Sequence, residues 1–331
     1  MVSTRDLLRA WAALLRGRQP ALSIEITKEC PLRCPGCYAF AADHVGRGRD
    51  LKQLHDLRGQ ALVDGVTALV RRQRPLHVSL VGGDPLVRYR ELELLVPRLL
   101  ALGTFVQIVT SAFRPLPPAW AGLDRFELVV SVDGLAPDHD RRRQPATYPR
   151  ILQHIQGHQV VIHCTITAPM ARPGYLEEFV QFWSANPNVK KIWMSIFTPQ
   201  RGDALAEIPT PAQRARILAD LGHLPGRYPK LDLPRGLVAM FARPPASPRA
   251  CVFARATAVV SADLRTAIVP CQFGGDPDCS RCGCFASMGL AAVAEHRLVG
   301  GLTAGHVFRA SANFGEQVAR WLPARKPPPA A

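Results

Sequence analysis

The chain reads as an α/β protein: a partial (β/α)6 barrel carrying a small cysteine-rich C-terminal extension. Three observations point there. Between residues 21 and 200, short strand-like apolar runs alternate with segments of helical period, which is the pattern of a parallel sheet covered by helices. The alternation repeats six times, which suits an open partial barrel better than a closed eightfold one. Eight of the nine cysteines fall into two sets, at 30–37 and 251–284, and the second set follows the last repeat.

The elements follow in order. Residues 4–16 form a helix, because Leu7, Leu8, Trp11, Leu14 and Leu15 recur at helical spacing while Arg5, Arg9 and Arg16 fall off that stripe. This N-terminal amphipathic segment, 1–20, is expected to pack on the body of the protein. A basic amphipathic helix also suits anionic lipid, so peripheral membrane contact stays open. Strands are expected at 22–27, 77–81, 104–110, 126–132, 160–167 and 191–197, with helices such as 59–71 and 89–102 between them, giving a barrel core over 21–200. Residues 201–250 carry many prolines around one helical stretch, 213–221, and read as a connector. A cysteine-rich region follows at 251–287, then short C-terminal helices within 288–322 (288–299 and 312–322), then a flexible tail at 323–331.

With 47% hydrophobic and 20% charged residues over 331 positions, the chain is globular and neither disordered nor collagen-like. Its net charge of +15 suits an acidic substrate, nucleic acid or an anionic membrane, and equally a generally basic surface. No run approaches the roughly 18–20 apolar residues of a membrane span. The apolar run 10–15 is shorter than a signal-peptide core, so the expected location is cytoplasmic. In that compartment clustered cysteines are metal ligands or catalytic groups rather than disulfides.

The first set reads Cys30-Pro31-Leu32-Arg33-Cys34-Pro35-Gly36-Cys37-Tyr38, directly after a strand and therefore at the carboxyl edge of the sheet, where β/α proteins gather reactive groups. Pro31 and Pro35 break any helix and Gly36 lets the chain turn, so three thiols can surround one centre. Three soft ligands suit an iron-sulfur cluster or zinc, and no fourth ligand at close spacing completes a structural zinc site.

This loop, with spacings of three and two residues and an aromatic after the last cysteine, resembles the cluster loop of the radical S-adenosylmethionine (SAM) superfamily. The resemblance implies a 4Fe-4S cluster on Cys30, Cys34 and Cys37 with one open iron that chelates SAM. Reduction then releases a 5′-deoxyadenosyl radical, which takes hydrogen from substrate. It also implies an electron donor such as flavodoxin or ferredoxin. Gly82-Gly83-Asp84-Pro85 resembles the family's Gly-Gly-Glu-Pro turn, with Asp in place of Glu. Thr110-Ser111 stands where the family has Thr-Asn. Ser131-Val132-Asp133-Gly134 and His139 to Arg143 resemble its Ser-x-Asp-Gly and His-Asp-x-x-Arg elements. Cofactor contacts are thereby implied for Tyr38, Gly82, Gly83, Asp84, Thr110, Ser131, Asp133 and Arg143, with no catalytic residue assigned beyond the cluster. His163, Thr165 and Thr167 alternate with apolar residues and either line the substrate cavity or form core hydrogen bonds. Cys164 lies on the apolar side as a small buried hydrophobe.

The second set comprises Cys251, Cys271, Cys279, Cys282 and Cys284, framing an expected hairpin of 257–260 and 267–269. It resembles the twitch or SPASM extensions of the same superfamily, which hold auxiliary 4Fe-4S clusters. The resemblance implies one such cluster on Cys251, Cys271, Cys279 and Cys282 or Cys284, although Cys-x-x-Cys-x-Cys suits zinc as well. The substrate class stays open between a peptide and a small or lipid-linked metabolite. A non-enzymatic zinc-ribbon protein binding nucleic acid is the competing reading, and it leaves the strand-end motifs without a role.

Overall fold

The computed structural model describes residues 3–145 and 148–321; the expected tail at 323–331 lies outside them. Seven parallel strands form one open sheet in the order β6-β5-β4-β3-β2-β1-β7. In chain order the elements are α1 (Thr4–Leu15), β1 (Ala21–Glu25), α2 (Gly59–Gln73), β2 (His77–Val81), α3 (Tyr89–Ala101), β3 (Phe105–Thr110), β4 (Phe126–Ser131), α4 (Ala136–Arg142), α5 (Tyr148–His154), β5 (Val160–Ile166), α6 (Tyr175–Ala185) and β6 (Val189–Ile196). Then follow α7 (Pro211–Gly222), α8 (Arg235–Ala242), α9 (Val252–Ala256), β7 (Thr257–Val260), α10 (Phe285–Ala294) and α11 (Ala304–Trp321).

The six expected strands are present, and a seventh joins them. Residues 257–260 pair in parallel with β1, Ile24 opposite Val260, a partner the sequence reading did not include. The expected hairpin is present in short form: Val260 faces Ala267 in an antiparallel bridge, with Ser261 N donating to Thr266 O (2.8 Å) and Ile268 N to Val259 O (3.0 Å). The proline-rich stretch holds a second helix, α8, and the C-terminal helices are α10 and α11 rather than 288–299 and 312–322.

Strand alternation separates two environments. Leu22, Ile24, Val78, Leu80, Val106, Ile108, Val130 and Ile162 join the core beneath the helices. Ser23, Ser79, Gln107, Val109, Val129, His163 and Ser195 face a central cavity. The sheet's edges β6 and β7 do not pair, and α10 stands at this gap. Its Phe285 ring stacks on Trp193 of β6 at 5.0 Å, and Phe285, Gly289 and Leu290 line the cavity with Thr257 of β7.

Candidate functional site

The first cysteine loop leaves the end of β1 and is held from two sides. Arg33 N donates to Gln144 O at 2.6 Å, and Arg142 Nη1 donates to Pro35 O at 3.0 Å, so the segment after β4 braces the loop. On the other side Gly83 N donates to Thr27 O and Asp84 N to Glu29 O, both at 2.9 Å. A Cβ on Gly83 would stand 2.1 Å from Glu29 O, which is why glycine is required there. Below these contacts lies a network that sequence reasoning missed, buried at Thr27, Asp56 and Arg88 and open to solvent at Glu29 and Arg58. Arg88 bridges Asp56 (2.8 Å) and Glu29 (3.0 Å), Arg58 also pairs with Glu29, and Asp56 accepts from Thr27 Oγ1 at 2.9 Å.

All three thiols are half-buried. Burial pushes each above the ordinary thiol range, Cys30 to about 12. The positive charge of Arg143 opposes the rise at Cys34 and Cys37. Cys34 and Cys37 line the central cavity, about 590 Å³, together with Tyr38, Asp133, Arg142, Arg143, His163 and Thr165.

The remaining expected residues divide into two groups. Tyr38, Asp133 and Arg143 reach the cavity wall, whereas Cys30, Gly82, Gly83, Asp84, Thr110 and Ser131 are not among the residues lining it. Asp84 instead ties two strand ends together. Its carboxylate accepts from Thr110 Oγ1 (2.6 Å), Ser111 N (2.8 Å), Ser111 Oγ (2.6 Å) and Leu86 N (3.0 Å). Asp133 accepts from Arg142 Nε and Arg143 Nε at 2.9 Å each and from Thr165 N at 3.0 Å. Those cations hold its carboxyl well below the usual range despite burial. His139 accepts from Asp133 N at 3.1 Å, and burial lowers it to about 3, so the ring is neutral. His163 bonds Ser195 Oγ through Nε2 at 2.8 Å and is lowered to about 4, again by burial. Of the expected polar row on β5, His163 and Thr165 line the cavity; Thr167 is buried and is not among the lining residues.

The five C-terminal cysteines converge. Cys251, Cys271, Cys279, Cys282 and Cys284 all line a second, small cavity of about 30 Å³ with Phe253, Phe273 and Ser287. Burial raises the thiols of Cys271 (to about 12), Cys279, Cys282 and Cys284. Cys251 Sγ lies 3.0 Å from Ser287 Oγ, and Gln272 Nε2 donates to Cys284 Sγ at 3.3 Å. Cys284 lines both cavities, as do Phe253 and Phe273. Cys164 is fully buried in the main core, apart from both sets.

The second feature that the sequence did not reveal is a buried triad. His44 Nε2 lies 2.6 Å from Glu25 Oε1, Ser261 Oγ donates to Glu25 Oε2 at 2.5 Å, and His44 Nδ1 lies 3.0 Å from Phe273 O. Tyr38 packs against both the His44 ring (5.6 Å) and the Phe273 ring (5.4 Å).

Residues 24–182 match the profile of the radical SAM superfamily. No curated protein matches the chain. Among solved structures, the fold is similar to Streptococcus suis SuiB bound to S-adenosylmethionine, with TM-score 0.56 and 15% identity over 78% of this chain and 62% of SuiB. SuiB bound to precursor peptide SuiA gives 0.54 and 14% over 78% and 61%. Native anSMEcpe with bound AdoMet gives 0.56 and 15% over 76% and 75%. The chain thus spans less than two thirds of the length of SuiB. At these identities the likeness to the solved structures is one of fold.

Proposed function

We propose that this chain, whose residues 24–182 match the radical SAM superfamily, is an enzyme of that superfamily, that Cys30, Cys34 and Cys37 hold a 4Fe-4S cluster at the central cavity, that SAM binds beside it, and that the substrate is a peptide segment admitted to the same cavity. The observation that carries this reading is the shared wall: two thiols of the first set, the Arg142–Asp133–Arg143 cluster and the barrel interior all face one space of about 590 Å³. A cavity of that size suits a bound small molecule with a side chain beside it.

The donor set fits the cluster. Three soft thiols sit on a braced loop, protonated by burial until a metal group displaces the protons. When bound, the cluster would supply the electron that splits SAM to a 5′-deoxyadenosyl radical, drawn in turn from a donor of flavodoxin or ferredoxin type. The protein's own residues then have distinct tasks. Asp133 holds Arg142 and Arg143 side by side on the wall, where guanidinium forks suit a carboxylate. Neutral His163 and Thr165 offer hydrogen bonds without adding charge. Trp193, Phe197, Phe285 and Leu290 form an apolar part of the wall, which would exclude water from a reactive species.

For the second set, Cys251, Cys271, Cys279 and Cys282 are assigned to an auxiliary 4Fe-4S cluster, with Cys284 as the fifth thiol on the partition between the cavities. Five thiols, and no His, Asp or Glu, line the small cavity; an all-thiolate donor set of that kind suits an iron-sulfur cluster, and suits zinc as well. A peptide substrate is supported by the similarity in fold to SuiB, a structure of which is bound to precursor peptide SuiA.

The test is anaerobic reconstitution of the full chain with iron and sulfide, reduction, and addition of SAM. The reading expects 5′-deoxyadenosine from the native chain and none from Cys34→Ala. Deuterium carried from labelled peptides into 5′-deoxyadenosine would identify the hydrogen donor, and equal nucleoside yield from Cys34→Ala would sink the assignment.

A further inference from the structure

Helix α1 is docked by its less apolar side. Its buried residues are Asp6 and Leu14. Ser3 caps the helix by accepting from Asp6 N at 3.2 Å, and the Asp6 carboxylate accepts in return from Ser3 N at 3.1 Å and from Arg125 Nη2 at 3.1 Å. Leu14 meets α11 so closely that a Cβ on Gly315 would stand 1.8 Å from Leu14 O. Leu7 is 61% exposed, Leu8 66% and Trp11 38%. An amphipathic helix that only packs on a core buries its apolar stripe; this one packs Leu14 on α11 but turns Leu7, Leu8 and Trp11 outward, so the expected packing on the body holds for only part of the stripe.

The exposed sector has a defined chemistry. At about 100° per residue, exposed Leu7, Leu8 and Trp11, with half-buried Leu15, fall within a sector of roughly 100°, and Arg5, Arg9 and Arg16 cluster beside it. Asp6, the helix's sole acidic residue, is turned inward. Arg9, Arg16, Arg18 and Arg74 line a groove of about 550 Å³ that no acidic residue lines. α11, which packs against α1, adds exposed Phe314 (55%) and Trp321 (87%). Its Glu316 is paired with Arg255 at 2.7 Å.

From these observations we propose that α1 is an interfacial anchor that seats the protein on an anionic lipid bilayer, inserting Leu7, Leu8 and Trp11 while the arginines meet lipid phosphates. Apolar side chains flanked by cations are what such a surface binds, and tryptophan favours the headgroup level. A second copy of this chain is the poorer occupant, since it would bring a like charge of +15. The proposal stands apart from the catalytic reading.

The experiment is co-flotation of the full chain with phosphatidylcholine vesicles, with and without phosphatidylglycerol. The expected result is flotation with the anionic vesicles, weakened by salt, and a drop in partitioning of about tenfold or more for Leu8→Glu, for Trp11→Glu and for the triple change Arg5→Gln, Arg9→Gln, Arg16→Gln. Unchanged thermal melts would show that these exposed substitutions leave the fold intact. Absence of flotation, equal flotation with neutral vesicles, or undiminished flotation of Leu8→Glu would overturn the proposal. So would a lipid-free dimer that Leu8→Glu dissociates, because a second copy would then cover the face.

Discussion

Asp84 offers a direct measure of how the strand ends are held. Only 2% exposed, it accepts four hydrogen bonds, two on each oxygen. In Asp84→Asn one oxygen becomes an NH2 group. Either way round, one backbone N–H, of Ser111 or of Leu86, loses its acceptor, whereas the hydroxyls of Thr110 and Ser111 can rotate. An orphaned buried N–H costs about 1–3 kcal/mol, and the surviving bonds weaken as the charge is lost, so a net loss of about 2–4 kcal/mol is expected after allowing for relief of the buried charge. Asp84→Glu supplies the residue usual in the resembled turn, yet it forces a methylene into a filled site and is expected to cost about 1–3 kcal/mol. Urea denaturation of the full chain reads both: at a slope of about 3 kcal/mol per molar, a loss of 2 kcal/mol moves the midpoint by about 0.7 M. A glutamate variant as stable as the native chain, or an asparagine variant within about 0.5 kcal/mol of it, would refute the view that the short carboxylate joins β2 to β3.

Two further outcomes are expected. His139 (about 3) and His163 (about 4) are depressed by burial, so between their unfolded value of 6.5 and those values the unfolded chain binds protons that the folded chain does not. Stability should therefore fall from pH 7 to pH 5 by about 2 kcal/mol per histidine, and the slope should flatten in His139→Asn and His163→Gln; pH-independent stability over that window would contradict it. Gly283 sits where a Cβ would stand 2.1 Å from Ile196 O, at the junction of the second cysteine set with β6. Gly283→Ala should lower iron after reconstitution from about eight to about four atoms per chain while leaving SAM cleavage measurable; full iron retention would show that this contact does not position the second set.

What the sequence revealed and what it hid follow from the range of the interactions. The six strands and the first cysteine loop are local features: period-two runs, and ligands within eight residues of one another. The place of the seventh strand was missed because Thr257 to Val260 has its hairpin arm close by, and nothing local says that its other neighbour is β1, more than 230 residues earlier. Asp84 and Thr110 were assigned separately to the cofactor, and the sequence did not show that the fold turns them toward each other. Glu25 read as an ordinary strand residue, and His44 lies in a stretch without period. Each becomes meaningful only when the other is 2.6 Å away.

That last pair explains how two cysteine sets so far apart in sequence share one frame. Parallel pairing of β7 with β1 places Ile24 opposite Val260, so the next residues, Glu25 and Ser261, meet at the carboxyl edge of the sheet. His44 leaves the first cysteine loop, bonds Glu25, and reaches Phe273 O two residues beyond Cys271. Hydrogen bonding to Glu25 raises the histidine against its burial. A buried hydrogen-bonded pair contributes little net stability over an apolar equivalent, because both groups lose water, but removing one partner leaves the other unsatisfied at a cost of about 1–3 kcal/mol. Its value here is therefore one of placement. An apolar contact would tolerate sliding of the C-terminal segment over β1, whereas a carboxylate with partners on both oxygens, one from each side of the junction, admits a single register. That register puts Tyr38 and Phe273 edge to face between the cavity that Cys37 lines and the one that Cys271 lines.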